Sequence, residues 1–187
     1  MGRALRADAE RSVRAILEAA ERVLADDPGA SMEQIAEAAG VTRITVHRRF
    51  ANRQALMEAL AVSAMRQLVD AIEDARPNAA PAFVALHRVT ANALRVKSAW
   101  RFALGNPEAD AGAAAAMWAD INARALDLLS RARREGLLDP AADLEWTRQV
   151  YYALLSEALK RPGVDQDPDA LATLVIDTLL HGAGPRD

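Results

Sequence analysis

The sequence predicts an all-α fold, and three observations lead there. Half of the 187 residues are apolar, yet only eight are aromatic. Ala, Leu, Arg and Glu dominate, residues that lose little on entering a helix. Apolar positions recur at helical spacing through most of the chain, while Gly and Pro gather in a few clusters that punctuate it. No strand-like alternation and no internal repeat interrupts the pattern.

The elements follow in order. After Asp8, the residues Val13, Ile16, Leu17, Ala20, Val23 and Leu24 form the stripe of a first helix, which Asp26-Asp27-Pro28-Gly29 ends. Ser31 with Gln34 three residues on has the form of a capping box, and Met32, Ile35, Ala36 and Ala39 give the second helix its inner face. Gly40 closes that helix, and Thr42 caps a third whose Val46 and Phe50 lie four apart on one side. Asn52 caps a fourth, with Leu56, Leu60, Ala64, Leu68 and Ile72 aligned, until Arg76-Pro77-Asn78 stops it. Pro81 starts a fifth that ends near Ser98. A short helix follows over residues 100–104, and a long one over residues 110–135 contains the small run Ala113 to Ala116, which lets another helix, or a ligand, come close. After a turn at 136–140, residues 144–160 and 169–181 read as two amphipathic helices. Their stripes are Val150, Tyr151, Leu154, Leu155, Ala158 and Leu171, Leu174, Val175, Thr178, Leu179, which suit a four-helix interface with a second copy.

Several function classes drop out on composition. Without cysteine there is no disulfide, thiolate metal site or cysteine nucleophile, and a reducing compartment is permitted. Neither a signal-peptide core nor a membrane-spanning run is present, so the expectation is a soluble, cytoplasmic protein with no membrane partner. His47, His87 and His181 lie far apart without metal-ligand spacing, and no phosphate loop or nucleophile motif occurs. Asp139 and Asp143 flank a turn, where carboxylates cap helices. The expectation is no enzyme, no metal and no cofactor.

Charge singles out one segment. The net charge is −3, but residues 41–53 hold four arginines and a histidine with no carboxylate, whereas residues 54–187 hold 14 basic and 18 acidic side chains. A basic patch on an acidic body fits a local encounter with a polyanion. The same segment has the form of a helix-turn-helix. Ala36 is small where two helices touch, Gly40 allows the left-handed turn, and Val46 pins the second helix. With Val46 and Phe50 inward, Arg43, Ile44, His47 and Arg48 face outward and are the candidates for reading bases in the major groove of double-stranded DNA. Thr42, Thr45, Arg49 and Arg53 are the candidates for phosphates, helped by free N–H groups where the fourth helix begins. Charge runs usually just solvate a helix. Exposed Ile44 argues otherwise, because an isoleucine among cations gains nothing in water.

Residues 11–56 resemble the DNA-binding domain of the tetracycline-repressor (TetR) family of transcriptional regulators. The matching pieces are Ile16-Leu17-Glu18-Ala19-Ala20, Ser31, Ile35 to Val41, Thr45 to Phe50 and Asn52 to Leu56. The family most often has a tyrosine where this chain has His47, and often a smaller residue at the place of Ile44. The resemblance implies phosphate contacts at the positions of Thr45, Arg49 and Arg53, and a larger helical domain that dimerises and holds a small effector.

The expected architecture is therefore a three-helix DNA-binding domain over residues 1–52 and a helical-bundle effector and dimerisation domain over residues 53–187. The homodimer would form through the last two helices and set two reading helices roughly 34 to 36 Å apart on an inverted repeat. Met65, Phe83, His87, Thr90, Trp100, Phe102, Met117, Trp118, Ile121, Asn122 and Tyr151 combine apolar bulk with isolated polar tips, the mixture expected of a pocket for an unidentified small-molecule effector. Each also fits ordinary core packing. The function expected is a ligand-released transcriptional repressor. An activator, a repressor with no small ligand at all, and a helical small-molecule-binding protein without working DNA recognition stay open.

Overall fold

The computed structural model describes residues 2–96, 112–160 and 167–183. All regular structure among them is helical: α1 (Gly2–Asp26), α2 (Met32–Ala38), α3 (Arg43–Arg49), α4 (Arg53–Asp74), a 3-10 turn at Pro77–Ala79, α5 (Ala82–Arg95), α6 (Gly112–Arg134), α7 (Leu144–Lys160) and α8 (Pro168–Ala183). The short helix expected at 100–104, with Trp100 and Phe102, lies outside the described residues. Two compact units are present, Met1–Ser63 and Ala64–Asp187. The division falls inside α4 and not at 52/53, because the first turns of that uninterrupted helix bury Leu56, Leu60 and Ala61 in the first unit.

In the first unit α1 begins at Gly2, earlier than expected, since Arg3-Ala4-Leu5-Arg6-Ala7 holds only good helix formers. Asp8 becomes an interior residue whose carbonyl accepts the Ser12 hydroxyl at 2.9 Å. Helix α2 packs against α1 and α3. Its capping box is complete: the Gln34 N–H donates to Ser31 Oγ at 3.2 Å, and the Ser31 N–H to Gln34 Oε1 at 2.7 Å. Gly40 ends it at φ 65°. The Gly40 N–H then reaches the Glu37 carbonyl and the Val41 N–H the Ala36 carbonyl, both at 3.0 Å, which satisfies the last carbonyls of α2 and redirects the chain into α3. Ile16, Ala19, Ala20, Ile35, Ala36, Val46 and Phe50 are buried here.

In the second unit α5 packs on α8 and also on α6 and α7, while α7 joins α6 and α8. Two charged residues fasten the approach to α5: Arg131 donates to the carbonyls of Pro77 (2.7 Å) and Ala80 (3.2 Å), and Glu135 Oε2 accepts the Ala82 N–H at 2.7 Å. Gly136, at φ 79°, closes α6. Asp143 caps α7, its Oδ1 accepting the N–H groups of Glu145 and Trp146, whereas Asp139 braces the preceding turn through Ala141. Most of the amphipathic stripes of α7 and α8 is covered within the chain: Tyr151, Leu155, Ala158, Leu171, Val175 and Leu179 are buried and Val150 and Leu154 half-buried, while Leu174 and Thr178, and Trp146 as well, are exposed. Among the described residues no helix is long and apolar enough to cross a membrane.

Gly40→Ala leaves room for its methyl group but places a Cβ at positive φ. A loss of about 1 kcal/mol is expected, read as a lower urea midpoint at unchanged slope. An unaltered midpoint contradicts this account of the turn.

Candidate nucleic-acid interface and ligand cleft

Helix α3 is held at both ends and from behind. Thr42 Oγ1 accepts the Thr45 N–H at 3.2 Å and lies 3.0 Å from the Thr45 hydroxyl, while the Phe50 N–H closes the last turn on Val46 O at 2.8 Å. Val46 and Phe50 are buried. On the opposite side Ile44 is 77% exposed, and Arg43, His47 and Arg48 are exposed with it. The four residues expected to read bases thus share one solvent-facing surface. Arg43 Nη1 lies 4.0 Å from Glu33 Oε2 on α2, an exposed pair that costs little to part.

The residues expected at phosphates divide. Thr42 is exposed; Thr45 is half-buried and tied to it. Arg49 is half-buried with its Nε enclosed. Arg53 is turned to another task. Its guanidinium donates to the carbonyls of Pro28, at 2.8 Å, and Ala30, tying the start of α4 to the loop between α1 and α2. That loop has carbonyls without helical partners, and a guanidinium with five N–H groups satisfies them. One N–H at the start of α4 is also taken, as Ala55 N donates to Asn52 Oδ1 at 2.9 Å.

A partly open cleft of about 440 Å³, mouth included, lies within the second unit. Ile72, Pro77, Val89 and Ala93 form one wall, Ile121, Arg124, Ala125 and Leu128 another, and Tyr151, Tyr152 and Leu155 the third. Two of the expected pocket residues, Ile121 and Tyr151, are there. Thr90 sits one step behind, 2.8 Å from the Tyr151 hydroxyl. Trp118 and Asn122 brace Tyr152 and do not line the cleft. The Trp118 ring packs against Tyr152 at 5.4 Å, and Asn122 Oδ1 accepts from Arg148, whose guanidinium lies 5.3 Å from the centre of the same ring. Burial pushes the Tyr152 phenol up to about 12 against the opposing pull of Arg148. Met65 is core, Met117 is half-buried away from the cleft, and Phe83 is exposed. His87 Nε2 is engaged with the Thr173 hydroxyl of α8 at 3.1 Å. The space comes from Ala93 and Ala125, not from the run at 113–116.

The sequence model of bacterial regulatory proteins of the tetR family matches residues 16–60. The HTH-type transcriptional repressor LfrR of Mycolicibacterium smegmatis is 40% identical over 147 residues, 78% of this chain and 76% of that protein. The chain belongs to the TetR family. A crystal structure of the TetR-like regulator LfrR from Mycobacterium smegmatis in complex with proflavine superimposes with a TM-score of 0.75 at 31% identity, over 92% of this chain and 96% of that one. A tetR-family regulatory protein from Rhodococcus RHA1 shares the fold, with a TM-score of 0.76 at 16% identity over 94% and 98% of the two chains. As a TetR-family member, the chain is a DNA-binding transcription regulator, and α2 and α3 are its helix-turn-helix.

Sequence reasoning missed Arg53's inward role and most of the cleft wall of this TetR-family protein. Val89 with Ala93, and Ile121 with Ala125 and Leu128, do carry a signal, since each set repeats at one helical turn with a small residue inside it. Arg53→Ala is expected to lower stability by about 1–2 kcal/mol through the loss of two hydrogen bonds to loop carbonyls, with the salt dependence of DNA binding unchanged. Unaltered stability together with a salt slope reduced by about one would place Arg53 on the DNA backbone instead.

Proposed function

We propose that this chain is a ligand-responsive repressor that binds an inverted-repeat operator as a homodimer and is released from it by a small-molecule effector. The observation that carries the reading is the outward face of α3, where Ile44 stands 77% exposed among Arg43, His47 and Arg48 while Val46 and Phe50 are buried behind it. Arginine donates bidentately to the guanine acceptors, histidine bonds a base edge, and isoleucine meets a thymine methyl. Thr42, Thr45 and the end of Arg49 hold phosphates. A repressor of 40% identity supports the sign of regulation.

The effector occupies the cleft beside Ile121 and Tyr151. Its apolar lining with few polar groups supports this, as does the proflavine complex of LfrR. Helix α4 runs unbroken from Arg53 to Asp74 and contributes Ile72 to the wall, so an effector that displaces its far end alters the DNA-bound arrangement. The effector must prefer the released state by about 1 to 3 kcal/mol for coupling of ordinary strength. The homodimer forms through α7 and α8, which keep Trp146 and Leu174 in water after their buried stripes are satisfied. Such a regulator works in the cytoplasm, beside the DNA it reads, and performs no catalysis.

Selection of bound duplexes from a random pool is expected to return an inverted repeat. Arg43→Ala with Arg48→Ala is expected to relax its sequence at the cost of about 1–3 kcal/mol per lost bidentate contact, measured by competition binding. No salt-sensitive preference in the wild type would favour a small-molecule-binding protein without DNA recognition. Ala125→Trp, which fills the cleft, is expected to keep operator binding and abolish release by proflavine. Release that persists in this variant would place the effector elsewhere.

A further inference from the structure

Tyr151 on the cleft wall is hydrogen-bonded to Thr90 behind it, and the direction of that bond is set by its surroundings. Thr90 is fully buried, and its hydroxyl donates to the Leu86 carbonyl one turn back at 2.7 Å. A threonine hydroxyl has one proton, so none remains for the Tyr151 oxygen 2.8 Å away on α7. Tyr151 therefore donates to Thr90 Oγ1, and its own oxygen is left with lone pairs only. Burial holds the Tyr151 phenol far above its ordinary pKa, so it stays neutral. The one charged side chain on the wall, Arg124, is already paired with Asp120 at 2.7 Å and Glu73 at 3.3 Å. The remaining wall is aliphatic or aromatic apart from Tyr152.

The geometry points to Tyr151 Oη as a hydrogen-bond acceptor that selects, among apolar molecules entering the cleft, those carrying an N–H or O–H donor. This deepens the effector reading and rests on it. A ligand without a donor leaves the lone pairs of the Tyr151 oxygen unmatched; one presenting an acceptor sets lone pair against lone pair. Thr90 acts as the positioning residue. It decides which way the tyrosine proton points.

Three tricyclic probes of matched shape test this on the full chain by fluorescence titration: carbazole with its N–H, fluorene with neither function, and 9-fluorenone with a carbonyl. Wild type is expected to bind carbazole about five- to tenfold more tightly than 9-fluorenone, with fluorene between them. Tyr151→Phe is expected to remove the difference. Thr90→Val takes away the acceptor, frees the Tyr151 proton for the cleft and is expected to shift the order toward 9-fluorenone, whereas Thr90→Ser keeps the wild-type order. Probes that bind wild type within twofold of one another, or an order that Thr90→Val leaves unchanged, overturn the inference while the cleft remains the effector site. Failure of all three to bind, or binding that survives Ala125→Trp, removes the effector site itself and the inference with it.

Discussion

The burial of Val46 and Phe50 behind a seven-residue helix is the constraint on which the rest of the recognition surface depends. A helix so short is not stable alone in water. It persists because one side is packed and because Thr42 and the Gly40 turn satisfy the backbone at its start. Once two residues four apart point inward, helical geometry leaves no choice about what points outward. Ile44 is left in water, where an isoleucine forgoes about 1.5–3 kcal/mol of burial, a deficit that a partner surface removes.

The cleft of the second unit is built on a different principle. Its volume arises where Ala93 and Ala125 stand at positions that bulkier residues would fill. Its polarity arises from a tyrosine whose proton is already committed to Thr90. Tyr152 is a supported wall, with Trp118 packed on its ring and Arg148 over it, and Arg148 is itself held by Asn122 and Glu145. Side chains that look like ligand groups in the sequence serve here as supports for the ones that line the cavity.

Local interactions were the legible part. The capping box at Ser31, the cap at Thr42, the glycine turn and the Asp143 cap are each written within three or four residues, and each forms as those residues dictate. The start of α1 was less legible, because Asp8 resembles a cap and helix-forming residues on its N-terminal side outweigh it. The contacts of Arg53 were hidden for a related reason. A basic residue in a basic segment looks like a phosphate ligand, and only the return of the Pro28 to Ala30 loop to its side gives it carbonyls to hold.

By itself the sequence determined the helices, the inner and outer faces of the DNA-reading element and the membership of the family, because spacing, caps and turns are properties of neighbours along the chain. Tertiary structure alone decided which apolar stripes were consumed inside the second unit, which of the aromatic and polar residues met at a cavity, and toward which partner each long charged side chain turned. A stripe on a helix states that a face is to be buried and says nothing of what buries it. Pairings such as Thr90 with Tyr151, 61 residues apart, exist only once α5 and α7 have packed.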